Sequence, residues 1–163
     1  MDGGVSLLLD GHGDGTFSAV WPHLSGLIVP GDAKSLSSVD LNRDGWVDFV
    51  VGVNDGPVQA FENSGQSSNR PLAVILKGEP GNLAAVGSRV SVINASGQRQ
   101  TAEVYAGGGY LSQSTSTLFF GLGESKPGEE IDIEVRWPSG EVSQHRKKVD
   151  GPYIEIGYEF QSL

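Results

Sequence analysis

Short runs in which apolar and polar residues alternate recur along this chain, separated by glycine, proline, asparagine and aspartate. Residues 131–137, Ile-Asp-Ile-Glu-Val-Arg-Trp, are the plainest case. Every second side chain there is apolar, which is the period of a strand with one buried face. Short apolar or alternating runs bracketed by turn residues predict strands over 5–9, 35–39, 48–53 and 58–63 in the first part of the chain. In the second part they predict strands over 72–77, 89–94, 98–105, 117–121, 131–137, 141–147 and 153–158. Residues 10–17 read as a turn and 18–30 as a connector with no clear period. No stretch holds apolar residues at helical spacing, so little helix is expected.

Residues 64–71, Ser-Gly-Gln-Ser-Ser-Asn-Arg-Pro, form a polar segment that ends in proline and reads as a linker. A boundary near Gln66 divides the chain into 1–65 and 66–163. About seven alternating strands with turn signals between them predict an antiparallel β-sandwich for the second part. Residues 94–97 and 138–140 supply its hairpin turns. The first part carries an echo: residues 2–10 resemble residues 55–63 at an offset of 53. Each has a glycine turn, a strand and then an Asp or Asn. A repeat of roughly that length is what propeller blades show, so the first part reads as a partial β-propeller-type repeat.

Composition sharpens this all-β reading. Glycine is abundant, 24 of 163 residues, as many tight turns require. The net charge is −9, which argues against a nucleic-acid partner. Residues 1–63 hold nine acids and two bases, so the acidity is concentrated in the first part. No cysteine is present, which excludes disulfides, thiolate metal sites and cysteine nucleophiles. No apolar run is long enough for a membrane helix, so membrane insertion is not expected.

The acidic part contains the most specific motif. Counting Asp40 as position 1, Asp40, Asn42 and Asp44 supply side-chain oxygens at positions 1, 3 and 5. Gly45 stands at 6, Trp46 offers a carbonyl at 7, and Asp48 adds a carboxylate at 9. Calcium takes six to eight oxygen ligands on a flexible loop, and this spacing provides them. The loop is not an EF-hand, because position 12 is Val51 and the flanks are strand-like. Asp10 to Gly15 is a poorer imitation, with His12 where calcium wants oxygen, and a hairpin turn explains it better.

The stretch Asp40-Leu-Asn-Arg-Asp-Gly-Trp-Val-Asp-Phe-Val-Val resembles the calcium loop of FG-GAP/VCBS repeats, which build integrin-type propellers. Gly13-Asp-Gly-Thr-Phe17 is similar to a turn of the same repeats. The rest resembles the ASPIC/UnbV domain of cartilage acidic protein-like secreted proteins. It does so through Ser68-Asn69-Arg70, Asn82 with residues 85–90, residues 107–113, residues 119–123 and residues 134–140. The resemblance implies bound calcium, an extracellular, periplasmic or cell-surface setting, and an adhesion or protein–protein interaction role without catalysis. Phe119-Phe120 departs from the family, which often has a histidine near the first aromatic.

The other candidate residues lack the spacing that chemistry needs. His12, His23 and His145 have no ligand spacing, and no Gly-x-Ser-x-Gly elbow surrounds Ser112 or Ser139. No acid/base pair can be named for a hydrolase. Arg136 beside Trp137, together with Tyr110, makes a possible ligand surface, and with Tyr105 suggests a carbohydrate-binding module as the alternative function. The bland counterpart is a buried Trp137 with Arg136 salt-bridged to Glu103 or Glu134. Asn94-Ala95-Ser96 fits a glycosylation sequon. Strand edges left open by a truncated repeat are expected to pack on the second part or to pair with another copy, giving a possible homo-oligomer.

Overall fold

The computed structural model describes residues 6–65 and 67–159, which form twelve strands and one short helix. The predicted strand over 5–9, the echo at residues 2–5 and the boundary at Gln66 lie wholly or partly outside the described residues.

Two sheets face each other across a common core. One runs β11(Val142–Lys148)–β10(Glu130–Arg136)–β7(Arg89–Ile93)–β8(Arg99–Glu103), and every pair in it is antiparallel. The other runs β12(Tyr153–Gly157)–β6(Pro71–Lys77)–β9(Leu118–Gly121). The alternation along β10 does what it promised: Ile131, Ile133 and Val135 are buried, while Asp132, Glu134 and Arg136 face outward. Val90 and Val92 from β7 join them, and Leu72, Val74, Leu76, Leu118, Phe120 and Ile156 come from the opposite sheet. Each such side chain contributes about 1.5–3 kcal/mol through burial, so this layer is the main store of stability. It is a β-sandwich.

One pairing departs from the antiparallel expectation. β12 runs parallel to β6, with Tyr153 opposite Ala73 and Gly157 opposite Lys77. Alternation reads the same in either chain direction, so pattern alone cannot fix strand polarity. The intervening strands serve as the long crossover that a parallel pair needs.

The first part is thinner. β3(Ala33–Val39), β4(Asp48–Val53) and β5(Gln59–Phe61) form a three-stranded antiparallel sheet. β1(Leu8–Gly11) and β2(Phe17–Val20) form a hairpin, and α1(Pro22–Ser25) follows it. Both β2 and α1 lie wholly or partly in the stretch read as a connector, because four residues are too few to display a period. Among the described residues of this part, only Leu27, Val29 and Val51 are buried together, with Phe49, Val53 and Phe61 partly covered. Leu8, Leu9, Phe17, Trp21, Leu24 and Ile28 are exposed. A core this small cannot offset the cost of ordering the chain on its own.

Contacts with the sandwich make up part of the difference. Ser38 on the edge strand β3 donates its N–H to Ser114 Oγ (3.0 Å), and its carbonyl accepts from Thr115 N (3.0 Å). Ser112 Oγ donates to Leu36 O at 2.8 Å. The long β8–β9 connection therefore covers one open edge of the three-stranded sheet, as edge strands require.

Candidate functional site

Residues 40–48 join β3 to β4 as a loop wound around its own acidic side chains. Short Asp and Asn side chains bond nearby backbone N–H groups readily, which favours such turns. Asp40 Oδ1 accepts from Arg43 N (2.7 Å) and Asp44 N (3.2 Å), and Oδ2 accepts from Gly45 N (2.7 Å). Asn42 Oδ1 accepts from Asp44 N at 3.0 Å, and Asp44 Oδ1 accepts from Trp46 N at 2.8 Å. Gly45 has φ 87°, a left-handed conformation that glycine adopts without strain. Its place at position 6 is thus set by the backbone.

Asp48 closes the loop from below. It is fully buried, which for a carboxylate demands complete pairing. Oδ2 accepts from Leu41 N (2.8 Å) and Oδ1 from Asn63 N (2.7 Å), so it ties the loop to the segment after β5. Trp46 is held in place from the side by Gly65, where even an added Cβ would come within 2.5 Å of the indole nitrogen.

The sandwich completes the site. Tyr153, the first residue of β12, donates its phenol to Asp40 Oδ2, and Pro152 packs against Gly45. Burial pushes the Tyr153 phenol up, and its bond to Asp40 adds to this, to about 12. The group therefore stays protonated and remains a donor. Burial also acts on Asp40 and would raise it, but the Tyr153 bond and three backbone N–H groups outweigh that and hold it below the ordinary 3.8.

The donor set fits a hard cation in kind. Asp40, Asn42, Asp44 and Asp48 side chains and the Trp46 carbonyl are all oxygen donors within nine residues. Among the described residues, no three His, Cys, Asp or Glu side chains converge as a metal cluster. The Asp40, Asp44 and Asp48 carboxylates therefore do not converge on one point in this arrangement of the loop. Asn42 Nδ2 now donates to Asp44 Oδ2 (2.9 Å), which holds the two side chains together.

The remaining sequence candidates are scattered. Trp137 is only 4% exposed, donates Nε1–H to Ser143 Oγ at 2.9 Å and meets Tyr158 edge-on at 5.1 Å. Its indole belongs to the core and offers no free face to a sugar ring. Arg136 is exposed on the outer sheet face, opposite Arg89, and it is Arg99 that pairs with Glu134 (3.5 Å). Tyr110 is 73% exposed in the β8–β9 connection, close enough to Lys34 to influence its charge. Tyr105 is exposed too and donates to Glu103 (3.3 Å). Trp137 thus adds no surface to the exposed Tyr110 and Arg136. His12 bonds Ser18 and His145 bonds Ser143, and His23 is exposed on α1. Asn94 is 8% exposed, and its Oδ1 holds the β7–β8 turn by accepting from Ser96 Oγ and Gln98 N.

Sequence reasoning missed Tyr153, Pro152 and Asn63. Tyr153 lies 113 residues from Asp40, and no local pattern marks a tyrosine at a strand start as the partner of a distant aspartate.

Comparison with known proteins adds one match. The family model described as ASPIC and UnbV matches residues 78–157, from just after β6 to the end of β12. This stretch contains most of the sandwich and the β8–β9 connection that touches β3. No curated protein matches the chain.

Proposed function

We propose that this chain is a calcium-braced, non-catalytic binding module of a secreted or cell-surface protein, acting in adhesion or protein–protein interaction. One observation carries the reading. The oxygen-donor loop is folded and bonded to the sandwich through Asp40 and Tyr153, so an ion held there would stiffen the junction between the two parts. Asp40, Asn42, Asp44 and Asp48 side chains and the Trp46 carbonyl would hold it. Its charge would offset the repulsion of three carboxylates on one short loop.

In this reading the β3–β4–β5 sheet is one blade of an FG-GAP/VCBS-type propeller. An open concavity of about 600 Å³ supports it, lined by Leu8, Leu27, Phe49, Ala60 and Phe61 among others. An apolar hollow of that kind suits a neighbouring blade. Its ligand remains a protein or glycan of the adhesion type. The carbohydrate alternative is left without its main support, since Trp137 is buried.

Thermal unfolding with calcium, with magnesium and with chelator tests the proposal. Calcium at 100–1,000 times its dissociation constant should add about 3–4 kcal/mol of stability. Asp44→Ala should abolish the gain. An identical midpoint in calcium and chelator would sink it.

A further inference from the structure

The outer face of the four-stranded sheet carries a pairing that sheet energetics disfavours. Arg136 on β10 and Arg89 on β7 are directly opposed partners. Like charges in that position destabilise a sheet. Elsewhere on this face the arginines are neutralised. Arg146 meets Asp132 through both carboxylate oxygens (2.8 and 3.1 Å), and Arg99 meets Glu134 (3.5 Å). Among the described residues, neither Arg89 nor Arg136 makes an ion pair.

These two arginines line a concavity of about 360 Å³ together with Ser91, Arg99, Thr101, Glu134 and Val142. Its floor is polar: Ser91 is 6% exposed, and its hydroxyl lies 2.9 Å from that of the exposed Thr101. The lining holds three guanidinium groups against one carboxylate, and that carboxylate is already paired with Arg99. Glu103, opposite Arg89 on its other side, stands outside the lining.

We propose that the Arg89–Arg136 pair is a binding site for one tetrahedral oxyanion, a phosphate or sulfate group. Two guanidinium forks side by side offer more donors than a carboxylate can accept, and a tetrahedral anion has oxygens for both. The anion would turn a repulsive pair into a bridged one. A polyanionic chain fits less well, because Glu103 flanks the site along the same face and would repel its further charges. Salt screens the attraction of the two guanidinium groups and so weakens binding, while the chain's net charge of −9, whose repulsion is screened too, blunts that dependence.

The test follows the Ser91 and Thr101 amides and the arginine side chains by NMR at constant ionic strength. The probes are inorganic phosphate, inorganic sulfate, a sugar phosphate and a sugar sulfate, each balanced against chloride. Saturable shifts at these groups are expected. Esters that bind more tightly than the free ions would identify a group carried on a larger molecule, and the reverse order a free ion. Arg89→Gln and Arg136→Gln should each weaken binding about tenfold or more. Arg136→Lys keeps the charge and the strand but loses the fork, so it should weaken binding as well. Arg146→Gln, whose arginine is committed to Asp132, should change it less than twofold. Chloride reproducing the shifts, no saturation with any probe, or Arg146→Gln weakening binding as much as Arg136→Gln would overturn the proposal.

Discussion

Gly45 gives the sharpest test of how the loop is seated. An alanine there incurs two separate costs. The first is conformational: φ is 87°, and an L-residue in that region is strained by about 1–2 kcal/mol. The second is steric, because the new Cβ would lie 2.5 Å from Pro152 Cβ and 3.3 Å from the Pro152 carbonyl oxygen. Neither atom is the mobile end of a side chain. Pro152 is also held by its carbonyl, which accepts from Ala73 N on β6 at 2.7 Å. Relieving the overlap means parting the loop from the sandwich, an overpacking cost of about 1–3 kcal/mol. The expected loss for Gly45→Ala is therefore about 2–5 kcal/mol. Gly140, in the β10–β11 turn, is the matched control. Its φ is 92°, and an added Cβ meets nothing within 4 Å. Gly140→Ala should lose only the conformational part, about 1–2 kcal/mol. Urea unfolding in chelator, followed by far-UV circular dichroism, measures both variants without any contribution from an ion. Equal losses would refute the claim that the loop is wedged against Pro152.

Two further outcomes follow, one from the Tyr153–Asp40 bond and one from the burial of His145. Tyr153→Phe removes the phenol donor from Asp40 and should cost about 1–2 kcal/mol, given partial solvent access. A double-mutant cycle with Asp40→Asn should show coupling of roughly 0.5 kcal/mol or more, and additive losses would mean the bond contributes nothing. Burial holds the His145 imidazole below its ordinary 6.5, with Lys147 adding to the shift and Glu159 opposing it. The unfolded chain then takes up this proton at a higher pH than the fold does. Stability should be level above about pH 7 and fall as the pH drops through 6.5 toward the lower folded value. His145→Gln should flatten that part of the urea-midpoint profile; an unchanged slope would assign it to other groups.

Wherever a rule operates over a few residues, the sequence determined the outcome. Strict alternation placed Ile131, Ile133 and Val135 inward on β10, because a strand turns every second side chain to the same face. The β4 span matches residue for residue, since the Asp48 turn and the Asn54-Asp55-Gly56 turn bracket an apolar run. That residues 40–48 turn the chain between two strands was legible, because side-chain to backbone bonds across two to five residues define the turn. A family-type pattern over residues 78–157 was legible as well.

Tertiary structure decided what depends on partners far away in the chain. The parallel placement of β12 beside β6 sets strand direction, to which alternation is blind. Trp137 could have been a binding aromatic or a core residue, and only its position between Ser143 and Tyr158 makes it core. The Arg89–Arg136 pair exists only through the register of β7 and β10, and a register slip of one residue would send the two side chains to different partners and faces. Tyr153 reaches Asp40 because the returning strand begins beside the loop. Local stereochemistry is written residue by residue. The meeting of distant segments is settled by the packing of a whole core, in which no single residue names its partner.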